Sequence, residues 1–244
     1  MIALENVSKR YAGPALSDVN LAVPGGCLYG LVGPGASGKS VLLRHVAGLV
    51  RPDAGQVRVA GSDLTSLDET ELQRLRARIG MLFQNNALFD FMTVGENVAF
   101  PLRRLSDSPD AEIQERVAER LARVALPGFE TRIPASLSGG QKKRVGIARA
   151  TITRAPILLY DDPTAGLDPV TSQKIFELIR GEQRALGATA VVVSSDLEGL
   201  LGIADRVGML VRGRLVFDGT VAEMRTSQFN VVRQFVRGET EGPL

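Results

Sequence analysis

The sequence predicts an α/β fold: a mainly parallel sheet covered on both faces by helices, with a phosphate-binding loop at its centre and an antiparallel β subdomain at the N-terminus. Three observations predict it. Short apolar runs such as Leu28–Val32, Ile157–Asp161 and residues 188–194 alternate with amphipathic stretches, the pattern of buried strands joined by helical crossovers. Between the first of these runs and the helical spacing of residues 39–47, Gly33-Pro34-Gly35-Ala36-Ser37-Gly38-Lys39-Ser40 fits G-x-x-x-x-G-K-[ST]. Residues 1–32 are β-rich, with turn chemistry at Ala12-Gly13-Pro14 and Pro24-Gly25-Gly26.

Taken in order, residues 2–7 and 16–23 read as strands joined by a link carrying Tyr11, and 28–32 reads as the strand feeding the loop. Glycines 33, 35 and 38 let the loop backbone fold tightly, so that N–H groups converge on a phosphate at the positive end of the following helix. Residues 56–60 alternate as a strand, 68–78 read as a basic helix, and 79–84 as a buried strand ending in Gln84. From about 85 to 154 the character changes. Large apolar groups at Leu88, Phe89, Phe91 and Met92 sit in an expected loop punctuated by Pro101 and Pro109. Residues 110–124 and 141–151 read as helices. This segment is expected to be a helical subdomain inserted in the core. Helix 170–186 ends at Gly187, and a further helix and two short strands, 207–211 and 215–217, complete the core before an extension at 223–244.

Composition narrows the function. Lys plus Arg number 29 against 27 Asp plus Glu, and the charges are interspersed, so no basic stripe points to nucleic acid. No apolar run approaches the roughly 20 residues of a membrane helix. Glu5 near the start and the lack of a leader pattern lead us to expect a cytosolic chain. The single cysteine, Cys27, is expected to be a small core filler, and the single histidine, His45, a packed or surface residue.

Further motifs follow the phosphate loop in order. Leu137-Ser138-Gly139-Gly140-Gln141 precedes a helix, the strand Ile157–Asp161 ends in an acid placed to hold Mg²⁺ opposite Ser40, and Ala165-Gly166-Leu167-Asp168 comes next. No N-K-x-D occurs, which removes the GTPase reading. On these motifs, to about residue 222, the chain resembles the nucleotide-binding subunits of ABC transporters. Tandem domains or long basic insertions, expected of soluble ABC proteins in repair or translation, are absent.

The resemblance implies an ABC-ATPase core that binds ATP and Mg²⁺. It implies nucleotide contacts from Tyr11 on the adenine, from Gly33, Gly35, Ala36, Ser37, Gly38, Lys39, Ser40 and Val41 on the phosphates, and from Ser138, Gly139, Gly140 and Gln141 of a second copy packed head to tail. Asp168 would line that seam. Ser40, Gln84 and Asp161 would hold the metal, and Lys39, Gln84, Asp162 and Ser195 would serve catalysis. Residues 84–90 would meet a transmembrane permease. Residues 81–89 and 97–103 resemble the Mla-type branch, which moves phospholipid between the membranes of double-membraned bacteria, and residues 229–236 resemble its C-terminal extension. Lipid transport, lipid-binding accessory subunits and a place on the cytoplasmic face of the inner membrane are therefore expected.

The sequence departs from the family pattern at two catalytic positions. Asp162 stands where Glu is usual as general base, withdrawing the carboxylate by roughly 1 Å. Ser195 stands where His usually contacts the γ-phosphate, and a hydroxyl carries no positive charge and reaches less far. Val41, in place of a second hydroxyl, is expected to matter little, and Gly35-Ala36 is an unusual order in the loop. Two readings follow: a slow transport ATPase, or an ATP-gated binding module with little hydrolysis.

Overall fold

A computed structural model describes residues 1–244. Its strands are β1 (Ile2–Arg10), β2 (Pro14–Val23), β3 (Leu28–Val32), β4 (Ala54–Val59), β5 (Ser62–Asp63), β6 (Ile79–Leu82), β7 (Ile157–Asp161), β8 (Thr189–Val193), β9 (Arg206–Val211) and β10 (Arg214–Thr220). The helices are α1 (Lys39–Val46), α2 (Glu69–Arg76), α3 (Val94–Leu105), α4 (Asp110–Arg123), α5 (Gly139–Thr151), α6 (Pro169–Leu186), α7 (Leu197–Ile203), α8 (Val221–Arg225) and α9 (Asn230–Arg237). One sheet runs β10-β9-β3-β8-β7-β6, parallel except for its antiparallel edge strand β10. The other, antiparallel throughout, runs β2-β1-β4-β5.

Strand alternation divides the core in two. In β3, Leu28 and Val32 face one apolar cluster while Tyr29 and Leu31 face the other; in β7, Leu158 and Tyr160 part in the same way from Ile157 and Leu159. The cluster shared with the antiparallel sheet also takes Leu42, Leu43 and Val46 of α1, which fixes the helix that begins at Lys39. Cys27 lies in it as a buried filler. His45 is buried on the core side of α1, its Nδ1 2.7 Å from the Val41 carbonyl one turn earlier.

One helix contradicts the sequence expectation of a punctuated loop. Helix α3 runs through Pro101, started by a capping box in which Thr93 accepts from the Glu96 N–H and Glu96 accepts from the Thr93 N–H. Buried Asn97 then staples the incoming loop. It accepts from the Phe89 N–H and donates to the carbonyls of Phe89, Met92 and Thr93. Between β6 and β7 in the chain, α3, α4 and α5 pack together, and α5 lies so close to β6 that a Cβ on Gly80 would fall 1.9 Å from the Ala150 carbonyl.

Candidate functional site

The phosphate loop spans the gap between the end of β3 and the start of α1. Gly33 (φ +141°) and Gly38 (φ +104°) are required there: a Cβ would lie 2.0 Å from the Leu210 carbonyl at Gly33 and 2.4 Å from the Ala15 carbonyl at Gly38. Gly35 departs from expectation. It keeps an ordinary φ in open space, and the left-handed turn falls instead on Ala36, at φ +56°. The bent position of the loop therefore carries a Cβ.

Lys39 folds back over this loop. Its ammonium donates to the carbonyls of Gly33 (2.8 Å) and Pro34 (2.7 Å) and to Ser37 Oγ (3.3 Å). Burial lowers its pKa, while Asp162 and Asp161 pull the other way. Ser40 Oγ donates to Asp161 Oδ1 at 2.9 Å. Asp161 closes β7 as a buried carboxylate whose pKa is raised by burial against the opposing Ser40 bond. A hydroxyl and a carboxylate facing each other at the foot of a phosphate cradle are the hard oxygen donors Mg²⁺ prefers. The residues present therefore fit the metal. Val41 turns half into the core below.

Strands β7 and β8 supply the next layer. The Asp162 N–H donates to the Val193 carbonyl at 2.9 Å, in a left-handed conformation of φ +48°. Ser195, just past β8, then grips the same residue. Its N–H lies 3.3 Å from Asp162 Oδ1, and its Oγ 3.1 and 3.3 Å from the two carboxylate oxygens. Lys143 completes the layer from α5, donating to the carbonyls of Gln84 (2.8 Å) and Asp162 (3.2 Å). Sequence reasoning missed it, because Lys142-Lys143-Arg144 reads as one solvated basic run, yet Lys143 is 4% exposed. The Gln84 side chain is exposed and makes no hydrogen bond to the protein, so only its backbone is tied to the site.

Tyr11 is 58% exposed on the turn leading into β2, the strand whose Ala15 abuts Gly38, and Lys9 Nζ lies 5.7 Å from its ring centre. Ser138 and Gln141 close a capping box at the start of α5, with bonds of 2.9 and 3.3 Å. This leaves the N–H groups of Gly139 and Gly140 as unpaired helix-terminal donors. Asp168 caps α6 by accepting from the Thr171 N–H (2.9 Å), and hydrogen bonding from the Thr171 side chain, then from its N–H, lowers its pKa. Neither Ser138–Gln141 nor Asp168 is bonded to the phosphate loop of its own chain; Gly139 and Gly140 lie against Leu167 and Thr171 instead.

A family model described as ABC transporter matches residues 16–165. The methionine import ATP-binding protein MetN of Caulobacter vibrioides is 45% identical over 246 residues, covering 99% of this chain and 74% of that protein. The chain belongs to the ABC transporter family. Among other ABC relatives, the probable ribonucleotide transport ATP-binding protein mkl of Mycobacterium tuberculosis is 37% identical over 244 residues, covering all of this chain and 68% of that protein. The structure of the ATP-binding cassette MJ0796, a dimer in a post-hydrolysis state bound to ADP and Pi, aligns with a TM-score of 0.85 at 34% identity, covering 91% of this chain and 99% of that one. CbiO1 of Clostridium perfringens, part of the cbiONQ complex, aligns at 0.84 with 27% identity, covering 98% and 95%.

The protein is thus an ABC transporter ATP-binding subunit, an ATPase that uses ATP with Mg²⁺. These relatives support the family and do not single out the lipid-trafficking branch expected from the sequence.

Proposed function

We propose that the chain is a slow transport ATPase with Asp162 as its general base, working as a head-to-tail dimer beneath a membrane permease. The observation that carries the catalytic reading is the Ser195 grip on Asp162, which keeps a carboxylate in fixed orientation where the family uses a longer one. Lys39 would leave its carbonyl partners for the β- and γ-phosphates. Ser40 and Asp161 would hold Mg²⁺, which when bound offsets charge on the phosphates, with Gln84 completing the shell. The exposed Gly139 and Gly140 donors, with Ser138 and Gln141 around them, suit the γ-phosphate of a nucleotide held by the partner copy, with Asp168 on the seam and Tyr11 on the adenine. The MJ0796 cassette is dimeric in its structures.

The permease would seat in an apolar groove walled by Met81, Phe83, Ala87, Phe89, Phe100 and Leu105, beside Phe91, which is 83% exposed. No helix is long and apolar enough to cross a membrane, consistent with a peripheral place on the cytoplasmic face of the inner membrane. For cargo, the resemblance of residues 81–89 and 97–103 to the Mla-type branch favours lipid, delivered with lipid-binding accessory subunits. The 45% identity to a methionine import protein favours a small amino acid instead. Residues 223–244 form an extension in which α9 buries Val232 while Phe229, just before that helix, is exposed (69%), and would contact the second copy.

The test is ATP turnover by the chain with its copurified permease. Turnover above that of Lys39→Ala, rising about 10-fold or more in Asp162→Glu with Ser195→His, supports the slow ATPase. Turnover equal to Lys39→Ala despite tight ATP binding leaves the ATP-gated module. Phospholipid bound to the complex supports lipid cargo; methionine uptake that depends on the chain replaces it.

A further inference from the structure

Lys143 is a buried cation that none of the roles above uses. It is buried on α5, and its ammonium donates to two carbonyls from different parts of the chain. One belongs to Gln84, the second residue beyond β6, at the edge of the proposed permease groove. The other belongs to Asp162, one residue beyond β7. Both residues are among those expected to serve catalysis, Asp162 as general base and Gln84 beside the metal, so a single side chain spans both.

The backbone at Asp162 shows why such a tie is needed. A non-glycine residue at φ +48° holds a sparsely populated conformation only where its surroundings fix it. Four anchors do so here: the Asp162 N–H on Val193, the carboxylate on Ser195, and the carbonyl on both the Ala165 N–H of the following turn and Lys143. The first two come from β8 and its exit, and the Ala165 bond is local to the turn after β7. Lys143 alone brings an anchor from α5, the helix that opens with Ser138–Gln141.

We propose that Lys143 is a positioning residue for ATP hydrolysis, fixing the backbones of Gln84 and Asp162 relative to each other and to the signature helix. The inference rests on the reading of Asp162 as base. A Met at this position fills similar volume but donates to neither carbonyl, so both anchors are lost while the apolar stem is kept. The Asp162 carboxylate and the Gln84 loop then settle independently, and a displacement near 1 Å is enough to cost about 10²-fold in rate.

The experiment is single-turnover and steady-state hydrolysis of MgATP by the purified chain carrying Lys143→Met, Lys143→Arg, or Asp162→Asn, with ATP affinity measured alongside. The expected result is a kcat for Lys143→Met lowered about 10-fold or more, with ATP affinity and thermal midpoint close to wild type. Lys143→Arg, which keeps charged donors, recovers a large part of the loss. Should Lys143→Met not fold, Lys143→Gln stands in for it, because its amide is too short to reach either carbonyl. Unchanged kcat in Lys143→Met while Asp162→Asn is inactive overturns the role of Lys143 and leaves Asp162 as base. A loss shared equally by kcat, ATP affinity and thermal midpoint, with no recovery by Arg, marks Lys143 as packing alone and also overturns it. Full activity in Asp162→Asn overturns the reading of the base and the inference together.

Discussion

Ala36 carries a Cβ at a left-handed position while Gly35 beside it spends its freedom on an ordinary one. The left-handed penalty for an L-residue is roughly 1–2 kcal/mol. Glycine there gains most of that back but costs about 0.4–1 kcal/mol through the looser unfolded chain. Ala36→Gly is therefore expected to stabilise the protein by about 0.5 kcal/mol, raising the thermal midpoint by about 1–2 °C in a chain of this size. A scan of the nucleotide-free variant checks the sign; a lower midpoint would mean that the loop is not strained at Ala36. At this scale the sequence was legible for groups that act through their side chains in a spaced motif, such as Lys39, Ser40 and Asp161. It was silent on Lys143, whose role depends on two backbone carbonyls contributed by residues 59 and 19 positions away.

Among the elements, α3 is held in place from one end. Asn97 has no exposed surface and makes four hydrogen bonds to the backbone of residues 89–93, the loop that leads from the groove into the helix. Each bond is worth roughly 0.5–1.5 kcal/mol net, and losing it leaves buried groups unpaired. Asn97→Ala is expected to destabilise the protein by about 2–4 kcal/mol and to speed amide exchange at Phe89 and Val98 before residues of β7. Equal loss of protection in β7 would show that the loop and the sheet open as one unit. The strands were legible because parallel strands buried on both faces read as unbroken apolar runs. Helix α3 was not, because Pro101 looks like a terminator; in a helix it removes one donor, and the capping box and Asn97 hold the turn before it.

Across the whole molecule, Asp205 joins three elements. Its carboxylate accepts from Arg180 of α6 at 2.6 and 2.8 Å and from the Leu28 N–H at the start of β3, one residue before β9 begins. The Arg180 hydrogen bonds, with the Leu28 N–H and the Arg180 charge adding to them, hold its pKa below the ordinary carboxylate value against a smaller effect of burial. A depressed folded pKa means that the folded state binds this proton less readily than the unfolded chain. The stability it contributes is thus complete above the unfolded value near pH 4 and is lost as pH falls through the lower folded value. The carboxylate is about two-fifths exposed, so solvent screening keeps the contribution modest. Asp205→Asn should therefore be less stable than wild type at pH 7, and the gap should close as the pH is lowered from about 4 towards 2. Denaturant midpoints for both proteins across that range give the test. A gap that stays constant would mean that Asp205 acts through its shape and its Leu28 contact, with the charge contributing nothing to the joint between α6, β3 and β9.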